Sequence, residues 1–306
     1  MQGKLWTLVA FTTLGGVAAA DVPQPERITE SAASRRGVAQ AYLVAPSGGE
    51  LTGEMKFITA DPVFGAEPLR FSDLGLFGVS GRYSVLPKLE LSAHASFLAK
   101  QPSFTDEKPW QSVGFGLRTP LGKRAAVALT GSGGHLIDHA GAWMENALTL
   151  QWRKPIASVM TFDVTGGING LGVTAPKSTS AFVGEVAVTT SALFREPSGH
   201  WGSWIGIGYA LPVYAHGVDP TTGITIDPQP RLDLRMGTVL SLVRDWDVFA
   251  ELTVVDRGDL ANPATRMPIL DGGFDQRQLI LGVTRHITGK PRRPNHDDDA
   301  MQLSAR

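Results

Sequence analysis

The chain of 306 residues contains no cysteine, which excludes both disulfides and a lipid-modified cysteine anchor. Beyond residue 20 it has no long apolar run, so a helical membrane domain, which needs roughly 20 consecutive apolar residues per span, is excluded as well. A charge excess of either sign is missing. The formal net charge is −1, where a protein that tracks nucleic-acid phosphates shows a basic excess or stripe, and nucleic acid is therefore not expected as a partner. There is no Gly-x-Ser-x-Gly elbow to present a nucleophilic serine. The glycines at 131, 133 and 134 are not followed by the Gly-Lys-Ser/Thr of a phosphate loop.

What is present is apolar and glycine-rich, and it is arranged in short pieces. Lys4 opens a short basic start, an apolar run extends from Leu5 to Val17, and Ala18-Ala19-Ala20 precedes Asp21. Residues 1–20 are expected to be a cleaved secretory signal. Residues 21–49, with Pro23, Pro25, Arg35 and Arg36, are expected to form a periplasmic N-terminal segment in which Val38 to Ala45 adds a strand or a plug. Residues 50–287 read as one β domain, and residues 288–306, with Arg292, Arg293 and Asp297 to Asp299, as a disordered charged tail.

The β reading rests on period-two alternation. In Lys88 to Phe97, Leu89, Leu91, Ala93, Ala95 and Phe97 are apolar, whereas Lys88, Glu90, Ser92, His94 and Ser96 are polar. The same pattern sets Leu232, Leu234 and Met236 against Asp233, Arg235 and Gly237, and Val248, Ala250 and Leu252 against Asp247 and Glu251. It predicts about twelve strands of ~10 residues, over 50–59, 71–85, 88–100, 110–119, 123–136, 142–153, 156–170, 181–195, 200–214, 231–244, 246–258 and 274–287. The last alternates least well, because Ile280 joins Leu279 and Leu281.

Connections alternate between tight and long. Tight turns fall at Leu86-Pro87, Pro120 to Gly122, Lys154-Pro155, Glu196 to Gly199 and Asp245; long loops fall near 60–70, 101–109, 137–141, 171–180, 215–230 and 259–273. On the apolar face, Tyr83, Trp152, Phe194, Trp201 and Trp246 lie beside tight turns, while Phe57, Phe97, Phe182 and Tyr209 lie towards the long loops. Two aromatic belts flanking an apolar band are what the two membrane interfaces select. In pattern, residues 50–287 resemble a medium-sized Gram-negative outer-membrane β-barrel.

That resemblance implies an all-β transmembrane antiparallel barrel with short periplasmic turns and longer extracellular loops, exported to the bacterial outer membrane. Its partners would be outer-membrane lipid and lipopolysaccharide and, during biogenesis, the barrel-assembly machinery. Leu279, Leu281, Val283 and Ile287 stand where such families carry an assembly signal, although the chain ends in Arg306 rather than an aromatic residue. The polar faces then line a lumen: Arg82, Lys88, Glu90, His94, Arg118, Arg124, Glu145, Arg153, Asp163, Glu185, Asp233, Arg235, Asp247 and Glu251, with Glu54 and Lys56.

The lumenal signs nearly balance, so a narrow, partly salt-bridged lumen is expected. Arg82, Lys88, Arg118, Arg124 and Arg153 cluster beside tight turns, and Glu145, Glu185 and Asp233 lie near the outer mouth. This arrangement would favour small anions at the periplasmic end. The function expected is a narrow channel or small-solute pore, with no cofactor and no metal. The alternatives are a structural or adhesive barrel with a closed lumen and partner-binding loops, and a lipid-modifying barrel enzyme. Parity sends His94 and His286 inward and places His135, His139, His200, His216 and His296 in loops, turns or tail, which leaves no lipid-facing histidine for an enzyme. His135 and His139 have the i, i+4 spacing of a metal pair only if a helix forms there.

Overall fold

The computed structural model describes residues 48–60, 69–86, 88–100, 110–121, 124–135, 142–157, 159–174, 180–196, 201–217, 225, 227–243, 246–256 and 276–287. The expected signal, the 21–47 stretch, most long-loop residues, His139, His200 and His296, and the tail lie outside them. Twelve strands run in chain order as β1 (Gly49–Ala60), β2 (Leu69–Leu86), β3 (Leu89–Lys100), β4 (Trp110–Pro120), β5 (Ala125–His135), β6 (Ala142–Ala157), β7 (Met160–Thr174), β8 (Ser180–Arg195), β9 (Trp201–Gly217), β10 (Arg231–Val243), β11 (Trp246–Asp256) and β12 (Gln276–Ile287). Each strand pairs antiparallel with its chain neighbours, and β1 pairs with β12 to close the barrel. Closure removes the unpaired edges that an open sheet exposes.

The closing register runs without a shift from Gly49 opposite Ile287 to Ala60 opposite Gln276. The irregular alternation of β12 has a local cause. Ile280 faces inward and packs against a buried apolar cluster, so its apolar character belongs to the lumen and leaves the parity of the strand intact.

The outward face is apolar and uncovered: Phe115 is 62% exposed, Ile168 58% and Ile205 53%. An apolar surface wrapping a whole barrel is far larger than water tolerates on a monomer and suits lipid. Tyr83, Trp152, Phe194, Trp201 and Trp246 all stand exposed on this face near the short turns. Two of these rings have polar neighbours. Trp201 Nε1 donates to Thr238 Oγ1 at 2.8 Å, and the Arg285 guanidinium lies 5.6 Å from the Trp246 ring centroid. Amphipathic groups of this kind are most stable at headgroup depth.

Two expectations need correction. The hairpin placed at Lys154-Pro155 turns later, since β6 continues to Ala157 and β7 begins at Met160. Pro155 lies within β6 opposite Thr161, next to a register shift between Pro155 and Ala157, where a missing N–H is tolerated. The strand expected over 200–214 does run past Pro212, which sits at a register shift between Gly184 and Glu185. Lastly, His135 and His216 belong to the strand ends of β5 and β9 rather than to loops. The register pairs them with Ala142 and Phe182, both on the outer face. In the described register no serine stands opposite either one.

Candidate functional site in the barrel lumen

The inward face is not uniform around the barrel. On the β8–β12 side, Leu193, Trp204, Val239 and Phe249 are buried together, with Ile280 packed against them. Small partners make room: a methyl group at Gly237 would collide with the Trp204 ring, and one at Gly282 with the Phe249 ring. This side of the lumen is filled by its own side chains.

The β1–β5 side is polar and open. A cavity of about 340 Å³ is lined there by Glu50, Thr52, Ser80, Arg82, Ser92, His94, Arg118, Thr130, Ser132 and Thr284, among others. His94 and Thr130 point inward and are nevertheless exposed, so among the described residues they border open space.

Charges at the short-turn end form a chain around the wall. His286 on β12 lies 2.6 Å from Asp247 on β11 and 3.0 Å from Glu50 on β1. Arg82 on β2 donates to Glu50 from Nε at 2.6 Å and lies 3.6 Å from Glu90 on β3. Arg118 on β4 donates to the same Glu90 oxygen at 2.8 Å. The chain crosses the β12–β1 seam, where Thr52 and Thr284 also share a hydrogen bond of 3.0 Å. Farther round, Arg153 on β6 grips Asp163 on β7 through two parallel bonds, 2.7 and 2.8 Å. Such bidentate pairs are strong and directional. Arg82, Arg118 and Arg153 are therefore neutralised by wall carboxylates, which removes the basis for an anion-favouring field at this end.

At the long-loop end, Arg231 stands between Glu185 at 3.3 Å and Asp233 at 3.2 Å, and Glu145 acts on it electrostatically. Three carboxylates around one guanidinium leave that end acidic. Lys56 lies 3.7 Å from Glu54. Glu251 accepts from Thr253 Oγ1 at 3.3 Å. Arg235, midway along β10, forms no ion pair with any described residue, and its Nε is buried without an acceptor.

Most of the expected lumen residues thus project from strands into the interior, with two exceptions. Lys88 and Arg124 sit exposed in the turns before β3 and β5, because those strands begin one and two residues later than the alternation suggests. Glu50 and Arg231 were absent from the expected set although both share the inward parity of their strands, as Glu54 and Asp233 do. Each opens a strand, where a parity argument is easiest to drop. The buried apolar cluster had no such signal, because inward apolar residues read like interruptions of the pattern.

No family model matches the chain, and no curated protein matches it in sequence. Among solved structures it is similar to an outer membrane channel from Pseudomonas putida F1, with 11% identity, 81% of this chain and 97% of that chain covered, and a TM-score of 0.49. It is also similar to the NanC porin, with 7% identity, 77% and 98% covered and a TM-score of 0.48. A third likeness is to the translocator domain of the autotransporter NalP from Neisseria meningitidis, with 12% identity, 78% and 88% covered and a TM-score of 0.48. At such identities the function has to be read from this barrel's own residues.

Proposed function

We propose that the chain is a narrow pore for small polar solutes, exported by a cleaved signal and inserted in the Gram-negative outer membrane among lipid and lipopolysaccharide by the barrel-assembly machinery. The carrying observation is the divided lumen: an apolar cluster fills the β8–β12 side, and a polar cavity remains along β1–β5. A barrel of twelve strands lies between eight, which side chains fill, and sixteen, which leave a wide channel. Off-centre filling of this size narrows the passage to one lane. The reading is non-enzymatic: His286 is held between two carboxylates, and among the described residues neither outward histidine faces a serine across its ladder.

The test is to fold the purified chain into lipid bilayers and to compare its heat-modifiable gel mobility with its single-channel current. Small discrete conductance steps are expected alongside a heat-modifiable band. A heat-modifiable band without current would reject the pore, and would favour a closed barrel whose long loops at 215–230 and 259–273 meet a partner.

A further inference from the structure

We propose that the lumen holds a binding subsite for a small zwitterion, an α-amino acid whose carboxylate meets Arg235 and whose ammonium meets Glu251. The inference rests on the pore reading and adds a solute class to it. Both residues take the inward parity of their strands. In register, Arg235 on β10 lies opposite Thr253 on β11, and Glu251, two residues before Thr253, lies opposite Gly237. The pair therefore stands diagonally across neighbouring strands, on the long-loop side of the buried apolar cluster.

Diagonal positions of this kind are roughly 7–8 Å apart, within reach of long side chains, yet the two charges do not meet. Among the described residues neither forms an ion pair. Glu251 turns back to Thr253, whose Oγ1 donates to Oε1 at 3.3 Å, and Oε2 has no described donor. Arg235 Nε is buried and has nothing to offer a solute. Its two Nη groups differ, because they bond to no described residue and are not shut off from solvent. Both side chains are part-exposed although they point inward, so the Nη edge of one and the Oε2 of the other face the lumen.

Other strand-borne lumenal arginines are matched: Arg82 and Arg118 by Glu50 and Glu90, Arg153 by Asp163, and Arg231 by Glu185 and Asp233. At 235 and 251 the wall instead carries one charge of each sign, held apart. Partly buried charges without a partner are costly, which favours an occupant. A simple ion would neutralise one of them and leave the other. An α-amino acid carries a carboxylate and an ammonium on a single carbon, both ionised near neutral pH, so one small molecule neutralises both. The guanidinium edge suits a carboxylate, and Oε2 accepts from an ammonium. Ile280 lies directly opposite Glu251 on β12 and is the part-exposed margin of the apolar cluster, where an aliphatic side chain of the solute would rest.

The test is titration calorimetry of the full chain folded in detergent micelles, with three probes of one shape: leucine, 4-methylpentanoate, which lacks the ammonium, and 3-methylbutylamine, which lacks the carboxylate. Saturable leucine binding is expected, about ten-fold or more tighter than either isostere, as loss of one charge-assisted contact implies. Glu251→Gln should weaken leucine about ten-fold and leave 4-methylpentanoate unchanged; Arg235→Gln should weaken leucine as much and leave 3-methylbutylamine unchanged. Equal affinity for leucine and either isostere would overturn the proposal, as would leucine binding that neither substitution alters. If one variant gives no heat-modifiable band, the other decides alone. Bilayer current measured on the same preparations separates this proposal from the pore reading. A conducting barrel that does not prefer leucine keeps the pore and loses the subsite; a barrel that binds leucine without conducting does the reverse.

Discussion

The indole of Trp204 on β9 lies across Gly237 on β10, so close that a methyl group at 237 would collide with the six-membered ring. The wall behind cannot yield easily, because the same methyl group would lie 2.8 Å from the Ala250 carbonyl oxygen on β11. Overpacking of this kind costs about 1–3 kcal/mol. Gly237→Ala should lower stability by that amount in urea titrations of vesicle-folded protein. Gly53→Ala, where nothing stands within 4 Å of the added carbon, should leave it unchanged.

Filling one side of the lumen restricts the passage, and removing the filler should widen it. Trp204→Ala is expected to raise single-channel conductance and to cost about 3–5 kcal/mol in stability, the range for losing a buried Trp. Thr130→Trp, on the open side, should reduce the conductance with a smaller effect on folding. If the two substitutions moved the current in the same direction, the two sides would not differ in this way.

The Arg153–Asp163 pair is buried on both partners. Arg153→Ala strands the Asp163 carboxylate in the wall, and breaking a buried pair typically costs about 3–5 kcal/mol. Replacing both partners, as Arg153→Met with Asp163→Leu, removes the charge as well as its partner. The double variant should recover most of the loss, which a double-mutant cycle on unfolding midpoints measures directly.

Arg235 should influence permeant ions more than the arginines of the charge chain do, because no described carboxylate pairs with it. Arg235→Gln is expected to shift the reversal potential under a salt gradient towards cation preference, most clearly at low ionic strength, where screening is weak. Asp233→Asn at the acidic end should shift it the opposite way. Arg124→Gln, in an exposed turn, should leave it unchanged.

Much of this architecture was legible in the residues. Leu89 to Phe97 alternate so regularly that the faces of β3 follow from sequence, and twelve segments with alternating tight and long connections specify an up-and-down barrel. Trp204 and Trp143 pack against the wall glycines Gly237 and Gly134. Strand ends were less legible. Pro155 reads as a turn because proline usually leaves a ladder, yet β6 carries it at a register shift. His216 reads as a loop residue because Gly217, Asp219 and Pro220 follow it, and His135 because Asp138, His139 and Gly141 follow it closely, although each completes a strand.

Period-two patterning determined which face each residue takes, since a strand's backbone geometry alone sends successive side chains to opposite sides. It determined nothing about which lumenal groups meet. Those partners depend on the register between strands and on closure, which bring together residues as remote as Thr52 and Thr284 and Glu50 and His286. Only the closed barrel decided that Arg82, Arg118 and Arg153 would be neutralised, that Arg235 would stand without an ion pair among the described residues, and that the lumen would be apolar on one side and open on the other. Alternation acts through neighbours in the chain, whereas pairing and filling act across a ring of twelve strands.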